Sequence, residues 1–165
     1  MIADSNARFL VLATLDGSAC DTRVAEAAAE ITQRFPKGEL HLLHVLSEIL
    51  PAGPDPLLMP VMPAQFYKEN EDRARETLSG LLKADWGKPP RVAQEVRWGS
   101  PVESIVAYSI EQSIDMIVIA THGRTGLSHV FLGSVAERIV REAPCPVLTI
   151  RDRQAAHHPR PAQKS

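Results

Sequence analysis

The chain has 165 residues, a length that fits one domain or two very small ones, and at this size a single core buries roughly 70% of the surface exposed by the unfolded chain. Its composition, 44% hydrophobic, 23% charged and 5% aromatic, excludes collagen-like, coiled-coil and wholly disordered chains. With 18 Lys and Arg against 20 Asp and Glu the net charge is -2, without the basic excess that drives nucleic-acid affinity, so no nucleic-acid partner is expected.

Residues 8–15 form a nearly continuous apolar run closed by Asp16-Gly17-Ser18, as suits a strand buried on both faces. Arg8, the run and the following GSAC imitate a lipoprotein signal. The imitation fails, because the run is short, Asp16 interrupts it and Gly17 stands where a leucine-like residue is needed. Val24, Ala27, Ala28, Ile31 and Phe35 then keep one helix face. A second buried strand is predicted over 40–46, in which His41 and His44 fall three apart and therefore face opposite sides, excluding a local metal pair.

Residues 47–64 hold Pro51, Pro54, Pro56, Pro60 and Pro63 among apolar side chains, so the expectation is a long connection without helix or strand, either folded onto its own domain or acting as a flap. Tyr67, Ala74, Leu78, Leu81 and Leu82 predict the next helix. Over 91–98 the pattern alternates, with Val92, Gln94, Val96 and Trp98 on one side, and it follows Pro89-Pro90, as an edge strand would. Val102, Ile105, Val106 and Ser109 give a third helix, 116–120 a third buried strand, and Val135, Ile139 and Val140 a fourth helix. A short last strand is predicted over 145–150, followed by a disordered polar tail that includes His157 and His158.

Helix starts carry their own signals. Ser100 with Glu103 and Ser134 with Glu137 fit the capping box, Ser18 with Asp21 is a weaker version, and Pro101 stands at a first helical position. The alternation of five strands with four helices predicts an α/β fold: a doubly wound, five-stranded parallel sheet with helices on both faces. The domain is placed at residues 1–150 and the tail at 151–165. No apolar run reaches the roughly 20 residues that span a bilayer, so no membrane partner is expected. Cys20 and Cys145 form neither a disulfide framework nor a metal motif, which suits a cytoplasmic setting.

In doubly wound sheets ligands collect beyond the carboxyl ends of the strands. There the most informative segment is THGRTGLSHVFLGS, a glycine-containing loop ending in Gly133-Ser134 at a helix start, where free amides and a partial positive charge face an anion. Phosphate binding and a plain capped loop both fit it. The P-loop lysine and the G-x-G-x-x-G dinucleotide fingerprint are absent. His122 lies in this loop without an acid or nucleophile at recognisable spacing, so it reads as a hydrogen-bonding loop residue.

FLVLATLDGS, ELHLLHVL, WGSPVESIV and above all DMIVIATHGRTGLSHVFLGSVAERIVREAPCPVLTI resemble the universal stress protein family over nearly all of residues 8 to 150. The nucleotide-binding members carry G-x2-G-x9-G-[ST], which here reads Ala120-x2-Gly123-x9-Gly133-Ser134, with alanine for the first glycine. The resemblance implies strand order 3-2-1-4-5, ATP bound with a divalent metal such as Mg, a homodimer through the C-terminal strand and a role in stress tolerance. It implies that Asp16 contacts the nucleoside, that the Val45 backbone holds the adenine, and that Gly123, Arg124, Gly133 and Ser134 form the phosphate loop. From the residues alone, Asp16 reads equally as an Asx turn, Val45 as core and Arg124 as a solvated loop residue. The expected function is a dimeric regulatory protein acting through ATP occupancy. A slow ATPase or phosphate-transferring enzyme on the same pocket, or a nucleotide-free dimeric scaffold, is the alternative. No catalytic residue and no protein metal ligand is assigned.

Overall fold

Residues that are apolar without interruption end up between two helical layers, and the chain builds one such sandwich. A computed structural model describes residues 8–47, 62–82, 91–121 and 133–151. Within them run β1 (Arg8–Leu15), α1 (Asp21–Thr32), β2 (Lys37–Leu46), α2 (Ala64–Leu81), β3 (Arg91–Trp98), α3 (Pro101–Glu111), β4 (Met116–Ala120), α4 (Ser134–Glu142) and β5 (Val147–Ile150). The strands form a single parallel sheet in the order β3-β2-β1-β4-β5. His122, Gly123, Arg124, residues 48–61 of the proline-rich segment and the tail from 152 onward lie outside the described residues.

Each central strand divides its side chains between two cores. Val11, Ala13, Leu40, Leu42 and Val118 face α1 and α2, meeting Val24, Ala28, Ala74 and Leu78. Leu10, Leu12, Leu43, Ile117 and Ile119 face α3 and α4, meeting Val102, Ile105, Tyr108, Ala136 and Ile139. Burial on both faces favours apolar side chains throughout, which is why these strands read as nearly continuous apolar runs, with Thr14, His41 and His44 as their buried polar exceptions. β3 is an edge strand and alternates as expected: Val96 packs under α2, Gln94 accepts from Ser79 Oγ at 3.2 Å, and Arg97 points the other way to Glu111.

Boundaries differ from the sequence reading in specific ways. α1 stops at Thr32 rather than Phe35, because residues 33–35 turn to let Gly38 N donate to the Phe35 carbonyl, and β2 begins at Lys37 instead of residue 40. Phe35, released from the helix, stacks on Phe9 with ring centroids 4.0 Å apart. α2 begins at Ala64, three residues before Tyr67. The capping boxes do not form as side-chain caps. Ser100 is the N-cap of α3 without a side-chain bond, and α4 has Gly133 at its N-cap, making Ser134 the first helical residue. Pro101 does occupy the first position of α3, where its missing amide hydrogen costs nothing.

Parallel order brings every strand's carboxyl end to one edge. Between β1 and β4, neighbours in the sheet, the chain leaves toward opposite faces: β1 feeds α1 on one face and β4 feeds α4 on the other. A crevice opens there by topology alone.

Candidate functional site

A cavity of about 610 Å³ occupies this crevice, within the range of small-molecule sites. Its wall includes Asp16 just after β1, Val45 from β2, Trp98 from β3, Ala120 from the end of β4 with Thr121 just after it, and Gly133 and Ser134 from the start of α4. Five of the seven residues singled out from the sequence therefore meet on one wall, and the other two, Gly123 and Arg124, lie outside the described residues.

Asp16 forms an Asx turn and also lines the cavity. Its Oδ1 accepts from Ser18 N at 3.0 Å. The turn is braced from α1, whose first residue Asp21 accepts from Asp16 N at 3.2 Å and Gly17 N at 2.8 Å. Gly17 sits at φ 82°, a left-handed conformation that favours glycine. Burial pushes the Asp21 carboxyl up from 3.8 to about 6; the two amides oppose that shift and the neighbouring Asp16 charge adds to it.

At the opposite end, Gly133 N donates to the Thr121 carbonyl at 2.7 Å and Gly133 O accepts from Glu137 N at 2.8 Å, so this glycine ties β4 to α4. Its own amide is thereby engaged. The amides of Ser134, Val135 and Ala136, which begin α4 and line the cavity, have no carbonyl within the helix to bond, and they carry the positive end of the helix dipole. The amino-terminal turn of α4 thus borders the cavity, and a helix start is a place that can receive an anion. Ala120 packs against the core on the α1 side while lining the cavity, so the methyl that replaces the family's first glycine has an apolar place to go.

Phe66 and Asn70 of α2 and Trp98 of β3 also line the cavity, and the sequence reading did not assign them. Trp98 was on the correct side of its strand by alternation alone. Phe66 lies off the apolar face that Tyr67, Ala74, Leu78, Leu81 and Leu82 define; a Pro63 boundary followed by Phe66 and Asn70 at i, i+4 is the signal that could find it.

The sequence profile of the universal stress protein family matches residues 10–151. The chain belongs to this family. A curated relative, universal stress protein MJ0531 of Methanocaldococcus jannaschii, is 31% identical over 140 residues, covering 82% of this chain and 78% of its own. Among solved structures, universal stress protein UspA from Lactobacillus plantarum superposes with a TM-score of 0.67 at 26% identity, covering 88% of this chain and 100% of its own. The universal stress protein from Archaeoglobus fulgidus in complex with dAMP shares the fold with a TM-score of 0.56 at 22% identity, covering 88% of this chain and 98% of its own. The match spans both cores and every wall residue named above, so the described cavity belongs to the family domain of this universal stress protein.

Proposed function

We propose that this universal stress protein binds ATP in the cavity at the carboxyl edge of its sheet and acts in the cytoplasm as a homodimeric regulator of stress tolerance, read out through nucleotide occupancy. The observation that carries the reading is the meeting of Asp16 and Val45 with the amino-terminal turn of α4 on the wall of one cavity of about 610 Å³. Asp16 receives a ribose hydroxyl, the Val45 backbone meets the adenine edge, and the amides of residues 134–136 with the Ser134 hydroxyl receive phosphate oxygens. The family resemblance assigns Gly123 and Arg124, outside the described residues, to phosphate binding as well. The Archaeoglobus fulgidus neighbour is in complex with dAMP, and at its identity it supports the fold; the ligand reading stands on this chain's own wall.

A divalent cation such as Mg fits as a phosphate-borne partner. Among the described residues no cluster of three His, Cys, Asp or Glu could cage a metal, and Asp16 is the one carboxylate on the described wall. Mg²⁺ commonly keeps water and phosphate oxygens as its ligands, and bound there it offsets the charge of the phosphates.

The test is to denature purified protein and assay the released nucleotide. Stoichiometric adenine nucleotide, or calorimetric binding of added ATP, is expected; neither retention nor binding would overturn the reading. Turnover of labelled ATP by the same preparation would move the protein to the ATPase alternative.

A further inference from the structure

The base end of the cavity has a wall that the family pattern did not indicate. Four consecutive-turn positions of α2 divide into two ridges: Phe66 with Asn70, and Tyr67 with Glu71. The first ridge lines the cavity, and Asn70 Nδ2 donates to the Phe66 carbonyl at 2.7 Å. The second grips Trp98. Its indole Nε1 donates to Glu71 Oε1 at 2.9 Å, and its ring meets Tyr67 edge to face at 4.9 Å with an interplanar angle of 70°. Trp98 itself lines the same cavity as Phe66, and Tyr67 meets both rings edge to face.

Position along the sheet says what such a wall can receive. β3 and β4 are three strand steps apart, roughly 14 Å at the usual spacing, with the α4 amides at the β4 end and the aromatic pair at the β3 end. A molecule with an anionic tail and a planar ring, joined by a sugar-sized spacer, spans that distance with the ring at the aromatic end. An indole held by Glu71 and Tyr67 has little ordering left to do when it meets a heteroaromatic ring, and Phe66 adds a second aromatic side chain on the same wall.

The geometry points to Phe66 and Trp98 as the stacking wall that fixes the base of the bound nucleotide, with Glu71 and Tyr67 as positioning residues for the indole. This rests on the nucleotide reading above and names side chains of this chain that would set its affinity for the base.

The experiment uses the full chain carrying Trp86→Phe, so that Trp98 is the sole tryptophan emitter of the two in the sequence. ATP, adenosine and inorganic tripolyphosphate are titrated in turn, by emission and by calorimetry. ATP and adenosine are expected to quench Trp98, and tripolyphosphate to bind without doing so. Phe66→Leu should weaken ATP and adenosine roughly 5- to 150-fold, the range of one lost base stack, and leave tripolyphosphate unchanged. Phe66→Tyr should restore both, which guards against a folding defect in the leucine variant. Glu71→Ala should shift the Trp98 emission and reduce the quench, and Glu71→Gln, which keeps the acceptor oxygen, should restore them. Calorimetric ATP binding with unaltered Trp98 emission and no response to Phe66→Leu would overturn the wall and leave the nucleotide reading intact. Absence of ATP binding to the parent protein would overturn both.

Discussion

Gly133 sits at φ -57° and ψ 149°, a conformation open to any residue, so its glycine serves the space in front of α4 rather than the backbone. Gly133→Val is therefore expected to leave the thermal melt unchanged while its branched side chain keeps a phosphate from the amides behind it. If two charge-assisted contacts of roughly 1.5 to 3 kcal/mol each are lost, ATP affinity falls by a factor on the order of 10² to 10⁴, measurable by calorimetry. Asp21 makes a different prediction. Its raised folded value means that between about pH 4 and 6 the folded chain holds a proton that the unfolded chain has released, so this contribution to stability is fully present in acid and is lost as pH rises through about 6. Asp21→Asn should flatten that dependence: the drop in melting temperature from about pH 5 to about pH 7.5 becomes smaller in the variant. The sequence shows Gly133 and Ser134 at a helix start but places the cap one residue late, because Ser134-x-x-Glu137 fits the capping-box pattern while the backbone puts Gly133 at the N-cap. Asp21 was visible only as a weak capping residue; its burial, and hence its titration, depends on how α1 folds back over the turn.

Among the elements, the α1–β2 junction has the least room. A Cβ at Gly38 would lie 2.1 Å from the Thr32 carbonyl oxygen and 2.8 Å from its Cγ2, so the end of the helix and the start of the strand touch through this glycine. Gly38→Ala is expected to destabilise the protein by about 1 to 3 kcal/mol, the usual cost of overpacking, in denaturant unfolding. Gly80→Ala, with nothing within 4 Å of the added methyl, is the control that should not destabilise. β1, β2 and β4 are legible because burial on both faces makes them mostly apolar, and α3 because Pro101 marks its start. α2 was less legible: it buries only Ala74 and Leu78 fully, so most of its length is polar and its amino-terminal turn carries no periodic apolar signal. That turn supplies Phe66, which explains why the aromatic side of the cavity was missed while the glycine side was found.

For the whole molecule, strand order is the quantity that neighbouring residues cannot reveal. Alternating strands and helices dictate a parallel sheet, but only the family resemblance supplied the order, which the structure bears out as β3-β2-β1-β4-β5. That order leaves β5 at an edge, where Leu148 is 38% exposed and no strand among the described residues pairs with its outer side. An apolar bare edge invites pairing, and the proposed homodimer would cover it through β5. Light scattering at micromolar concentration should give a dimeric mass, and Leu148→Arg should shift it toward monomer; a monomeric parent would refute the arrangement. The same order has a consequence for synthesis. β1 emerges first but lies at the sheet's centre, and its second neighbour is β4: Leu10 N donates to Asp115 Oδ2 across 105 residues of chain. At ribosomal rates of about 5 to 20 residues per second, that side of β1 stays unpaired for roughly 5 to 20 s. During this interval the growing chain presents a long apolar strand edge, so the nascent protein depends on shielding from its neighbours before any ligand can bind.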